Sequence, residues 1–131
     1  MTRVLYVCTE NSNRSQMAEA FTRMHAKGII EAASAGSAPS ETVNPLAIQA
    51  MQERGYDLTP HRPKSLAEVG TGPWDYIITM GCGDACPWIP AHHREEWNLP
   101  DPRGMSLEGL RDVRDEIERR VLELKSRVEA E

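Results

Sequence analysis

Cysteine is scarce in this chain, with three in 131 residues, an odd count. That excludes a secreted disulfide framework and predicts reduced thiols in the cytoplasm. Basic charge is also short: 15 Lys and Arg stand against 20 Asp and Glu, for a net charge of −5. Aromatics make up only 5 %, and no basic cluster or ring-interleaved basic stripe occurs, which argues against a nucleic-acid binder. Any anion site must therefore be built locally, against the overall charge. No apolar run approaches membrane-spanning length, and the opening M-T-R-V-L-Y-V lacks the apolar core of a signal peptide. No internal repeat or compositional break divides the chain. Residues 1–131 read as one domain, large enough to bury about two-thirds of its unfolded surface.

What is present alternates strands with helices. Residues 3–7 (R-V-L-Y-V) read as a short buried strand. From Arg14 to Lys27, Met17, Ala18, Ala20, Phe21 and Met24 recur at helical spacing, with Gly28 as the stop. Residues 29–36 read as a second strand, and Asn44-Pro45 starts a helix that runs to Gly55, with asparagine as cap and proline at the first helical position. Residues 74–80 (W-D-Y-I-I-T-M) form a third strand, followed by an irregular, Pro-rich stretch from Cys82 to about Met105. Leu107, Leu110, Val113, Ile117, Val121, Leu124 and Val128 then line one face of a closing helix. This order implies a mostly parallel sheet with helices on both faces, whose ligands sit at the carboxyl ends of the strands. Cys8 and Cys82 both follow strands and can share that edge.

The chemistry concentrates in C-T-E-N-S-N-R-S, residues 8–15. Cys8, five small or polar residues and Arg14, set where a strand gives way to a helix, match a loop that wraps a tetrahedral oxyanion. Backbone N–H groups of Thr9, Glu10, Asn11, Ser12 and Asn13 converge, the helix adds its positive end, and Arg14 returns its guanidinium fork. These donors favour Cys8 as the thiolate, the form that attacks. Ser15 is placed to hydrogen-bond the sulfur, and Asn11 tolerates a left-handed backbone. Glu10 is unexpected beside an anion and is expected to face solvent.

Cys82 and Cys86, in C-G-D-A-C, are open to three readings. They are a redox pair, inert buried thiols, or zinc ligands with His92 or His93, although the spacing fits no common zinc pattern closely. Asp101, in L-P-D-P-R-G, is either a general acid stiffened by Pro102 or an ordinary turn. His25 reads as a surface residue, and Trp74, Trp88 and Trp97 as packing elements.

Taken together, residues 8–21, S-A-G (34–36), V-N-P-L-A-I-Q-A-M (43–51), the strand leading to Cys82, and D-P-R-G (101–104) resemble the arsenate reductases of the low-molecular-weight tyrosine-phosphatase superfamily. R-S-Q-M-A-E and the paired later cysteines are the more specific marks. The resemblance implies an α/β single domain with a four-stranded parallel sheet flanked by helices. It also implies a thiol relay: Cys8 attacks arsenate held by Arg14 and the loop, Asp101 assists loss of oxygen, Cys82 attacks Cys8, and Cys86 then attacks Cys82. Thioredoxin is the implied reductant, and a mobile loop around residues 82–98 is expected to present the disulfide. No cofactor or metal, and a monomer, are expected. Some thioredoxin-coupled members have six residues between the last two cysteines, where this chain has three. Some relatives bind potassium through asparagine, glutamate, serine and aspartate. Asn11, Glu19 and Ser34 match, but Lys64 stands in the aspartate's place. Its ammonium either replaces the cation or is simply solvated. The competing functions are an arsenate transferase using a small thiol such as mycothiol, a low-molecular-weight tyrosine phosphatase, and a non-catalytic arsenite sensor.

Overall fold

The computed structural model describes residues 1–81 and 88–131. Four parallel strands, β1 (Thr2–Cys8), β2 (Ile30–Gly36), β3 (Trp74–Thr79) and β4 (Ala91–Glu96), form one sheet in the order β2-β1-β3-β4. Helices α1 (Arg14–His25), α2 (Pro45–Gln52), α3 (Leu66–Val69) and α4 (Leu107–Ala130) complete the chain. The expected four-stranded parallel sheet is present.

Because side chains alternate along a strand, β1 feeds two cores. Val4, Tyr6 and Cys8 join the larger core, made with α1, α2 and α4, while Leu5 and Val7 join a smaller one with Ala35, Trp74 and Ile77. The larger core draws Leu110, Val113, Ile117, Val121, Leu124 and Val128 from α4, the stripe that the periodicity predicts. The second face is covered more thinly, by α3, Ile89 and Ala91. Asn44 caps α2 as expected, its Oδ1 accepting from Leu46 N at 3.0 Å, with Pro45 at the first position.

β4 corrects the expectation of an irregular stretch from Cys82 to about Met105. Its sequence, A-H-H-R-E-E, carries no apolar alternation, because an edge strand is held mainly by main-chain bonds to its one neighbour, β3. Residues 82–87 of that stretch, including Cys82 and Cys86, lie outside the described residues. Two further readings change. His25 is half-buried, bonded to Glu118 at 2.8 Å and stacked on Phe21, so it ties α1 to α4. Trp74 and Trp97 are packed, but Trp88 is 73 % exposed, with Arg94 over its ring. No described helix is long and apolar enough to cross a membrane.

The chain leaves β1 toward β2 on one side, while β3 flanks it on the other. The gap beyond the carboxyl end of β1 is thus the point where strand order reverses and crevices open. Cys8 is the last residue of β1.

Candidate active site

Residues 9–13 run from β1 into α1 beneath a second segment that fixes their shape. The carbonyls of Cys8, Thr9, Glu10 and Ser12 accept from the N–H groups of Ser37, Ala38, Ser40 and Asn44 at 3.2, 2.8, 3.0 and 3.0 Å. In a planar trans peptide the N–H points opposite to the C=O. Turning these carbonyls outward therefore turns the amides of Thr9, Glu10, Asn11 and Asn13 inward. One of them is visibly engaged: Asn11 N donates to Cys8 Sγ at 3.2 Å. Asn13 gives α1 no side-chain cap, which leaves its first turn of N–H groups open to an anion.

Asn11 sits at φ +53°, the left-handed conformation expected of it. Its Oδ1 accepts from Lys64 N at 2.9 Å and Gln16 Nε2 at 3.0 Å. A backbone N–H can only donate, so the other side of the amide is the NH2 group, which donates to Ser15 Oγ at 2.7 Å. Ser15 Oγ in turn shares a hydrogen bond with Cys8 Sγ, 2.8 Å away, and donates it when Cys8 is the thiolate. The sulfur is thus held by two hydrogen bonds, one shared with Ser15 and one received from Asn11 N.

Arg14 is 6 % exposed and lines the same hollow as Cys8. Its Nη1 donates to Leu99 O at 3.3 Å, while its Nε is buried with no acceptor among the described residues. A buried guanidinium N–H without a partner is costly, and an oxyanion in the hollow would satisfy it. The hollow, small and open to solvent, is lined by Cys8, the loop, Arg14 and Asp101 to Arg103. The structure therefore brings Cys8, Thr9, Glu10, Ser12, Asn13, Arg14 and Asp101 around one space, with Asn11 and Ser15 supporting the sulfur from behind.

Two glycines make this possible, and neither stood out as functional in the sequence. A Cβ on Gly36 would lie 2.6 Å from Thr9 O and 3.0 Å from Asn11 N, against backbone. A Cβ on Gly81, at φ +78°, would collide with Arg14 Nη1. Small residues after strands are the only sequence sign of such close approaches.

Glu10 needs revision, and it shares a partner with Asp101. Glu10 does not simply face solvent: its Oε1 accepts from Arg103 Nη1 at 3.0 Å. Arg103 also donates from Nε and its backbone N to Asp101, at 2.8 and 3.0 Å. Burial pushes the Asp101 carboxyl up, but the Arg103 bonds and the Arg14 charge outweigh it, and the net shift is downward.

Behind the loop, Glu19 is a buried carboxylate. It accepts from Ser34 Oγ at 2.6 Å and Arg23 Nε at 2.9 Å, and Lys64 Nζ stands 3.9 Å away. Lys64 is therefore not a fully solvated surface lysine: it is half-buried, and desolvation lowers its pKa. Gln16 passes the contact on. Its amide nitrogen serves Asn11 and Arg62 O, so its Oε1 accepts from His61 Nδ1 at 2.9 Å, and His61 Nε2 shares a hydrogen bond with Tyr56 OH at 2.7 Å. Among the described residues, no group of three or more His, Cys, Asp or Glu side chains is arranged to hold a metal ion.

This wiring places a proton on His61 Nδ1. Burial pulls its pKa below the ordinary 6.5, with Glu19 working against the shift. An unfolded chain binds a proton at 6.5 that the folded chain resists, so stability is full above that pH and falls as pH drops toward the folded value. Urea unfolding between pH 7 and 5 is expected to show this loss in wild type and a flatter dependence in His61→Gln. Parallel curves would mean another group carries the titration.

Residues 3–131 match the family model described as low molecular weight phosphotyrosine protein phosphatase. The chain is 37 % identical to the glutaredoxin arsenate reductase of Synechocystis sp., over 98 % of this chain and 99 % of that protein. A solved arsenate reductase in a phosphate-binding state superposes with a TM-score of 0.90 at 37 % identity, covering 98 % of this chain and 99 % of that one. The thioredoxin-dependent arsenate reductase of Corynebacterium glutamicum gives 0.81 at 33 % identity, covering 99 % of this chain but 63 % of that longer one.

Proposed function

This chain belongs to the low molecular weight phosphotyrosine protein phosphatase family, and we propose that within it the protein reduces arsenate to arsenite. The observation that carries the reading is the hydrogen-bonded Cys8 sulfur in one hollow with Arg14, whose buried Nε lacks an acceptor among the described residues. The similarity to arsenate reductases supplies the choice of oxyanion.

In the proposed cycle the inward amides and Arg14 hold arsenate with its arsenic facing Cys8. The Cys8 thiolate forms a sulfur–arsenic bond as one arsenic–oxygen bond breaks, and the oxygen leaves as water after taking protons through Asp101. Ser15 and Asn11 N steady the sulfur as nucleophile. Cys82 then attacks Cys8 Sγ. A disulfide forms, the sulfur–arsenic electron pair returns to arsenic, and As(V) departs as As(III) in arsenite. Cys86 attacks Cys82, releasing the Cys8 thiolate, and an external dithiol reduces the Cys82–Cys86 disulfide. Support for this relay comes from Gly81, which lies against Arg14 and directly precedes Cys82 in the chain. A phosphatase, whose cycle ends with water, would give Cys82 and Cys86 no task.

Thioredoxin is the proposed donor, and the glutaredoxin named for the Synechocystis relative is the alternative. The test is arsenate-dependent NADPH oxidation with thioredoxin and its reductase, run beside glutaredoxin with glutathione. Steady turnover with thioredoxin is expected, and Cys86→Ser should accumulate a Cys8–Cys82 disulfide detectable by mass spectrometry. Turnover with glutaredoxin alone would reassign the donor. Aryl phosphate hydrolysis untouched by Cys82→Ser, with arsenate ignored, would replace the reductase reading by a phosphatase one.

A further inference from the structure

The hollow carries a charge problem that its own residues create. An oxyanion site is lined by two carboxylates, Glu10 and Asp101, in a chain of net charge −5. Either carboxylate, if free, would repel an incoming anion. Arg103 meets both: Nη1 reaches Glu10 Oε1 at 3.0 Å, Nε reaches Asp101 Oδ2 at 2.8 Å, and its backbone N–H fixes Asp101 Oδ1 at 3.0 Å. These contacts join the loop after β1 to the segment before α4, and all three residues line the hollow.

The clasp is a poor stabiliser of the fold. The Arg103 side chain is 64 % exposed, and ion pairs at such sites contribute little to folding. Its consequence lies at the mouth, where one guanidinium pairs with both carboxylates, offsets one of their two negative charges and fixes the orientation of Asp101.

We propose that Arg103 is a positioning residue that spans the mouth of the oxyanion hollow, offsetting one of the two negative charges of Glu10 and Asp101 so that an anion meets less repulsion, and holding Asp101 at the rim. The proposal rests on reading the hollow as an oxyanion site. It predicts that loss of Arg103 weakens anion binding through the carboxylates left behind. Removing one of those carboxylates should therefore restore part of the loss.

Inorganic phosphate is a suitable probe, since it needs no redox partner. The rate at which iodoacetamide alkylates Cys8, followed by mass spectrometry of the Cys8 peptide, is measured against phosphate concentration in the reduced full chain. Wild type is expected to be protected. Arg103→Ala should need about tenfold more phosphate for the same protection, because the two exposed pairs are worth up to about fivefold each. Arg103→Lys should lose less. Arg103→Ala combined with Glu10→Gln should recover part of the loss, a result that a purely structural role for Arg103 would not produce. Equal protection in wild type and Arg103→Ala would overturn the clasp. A loss that Glu10→Gln leaves untouched would also overturn it, placing the guanidinium on the anion itself. Absence of protection in wild type would instead remove the oxyanion site, and the clasp with it.

Discussion

Replacing Cys8 by serine is expected to lower arsenate reduction by at least about 10³-fold, because a thiolate is the attacking group and removal of a nucleophile disables the whole chemical unit. The structure makes this substitution unusually clean. Ser15 Oγ and Asn11 N both hydrogen-bond the side-chain atom at position 8, and a serine oxygen can keep both bonds. The loop carbonyls remain tied to Ser37, Ala38, Ser40 and Asn44 through main-chain bonds that do not involve the Cys8 side chain. Phosphate binding, followed by calorimetry, should therefore stay within about threefold of wild type while turnover disappears, separating the anion cradle from the nucleophile. Arsenate reduction that survives in Cys8→Ser would transfer the chemistry to another thiol.

Gly36→Ala is expected to cost about 100-fold in kcat/KM, although position 36 touches neither sulfur nor substrate. Its φ lies outside the left-handed range, so backbone strain plays no part. The added methyl would stand 2.6 Å from Thr9 O and 3.0 Å from Glu10 C, both backbone atoms that have no rotamer to escape into. The loop itself must shift, and a displacement near 1 Å of positioned groups costs about 10²-fold in rate. Stability should also fall, by about 1–3 kcal/mol as in other overpacked sites. Urea midpoints measured beside phosphate affinity would distinguish the two effects. A variant that loses stability but binds and turns over normally would show that the loop tolerates the shift.

Both predictions begin from the sequence and end on contacts it does not display. The span from Cys8 to Arg14, its place between strand and helix, the left-handed Asn11 and the Ser15 contact are properties of neighbouring residues, set by local conformation and short hydrogen bonds. The Asn44-Pro45 start of α2 and the apolar stripe of α4 are legible for the same reason, since capping and periodicity act within a few residues. β4 is not legible. Its A-H-H-R-E-E would read as a polar loop anywhere else, and only β3 alongside makes it a strand.

The site divides along the same line. The sequence by itself determined the composition of the candidate site: a thiol and an arginine on one loop between strand and helix, in a family whose pattern runs nearly the length of the chain. Only the tertiary structure decided how that loop is held. Its carbonyls are drawn outward by residues 37–44, Lys64 comes beside Glu19, Gly36 and Gly81 admit backbone and guanidinium at close range, and Arg103 reaches back to Glu10. Each of these contacts joins residues far apart in the chain. Charge, close packing and hydrogen-bond direction act through space, and no local pattern records which distant group will arrive.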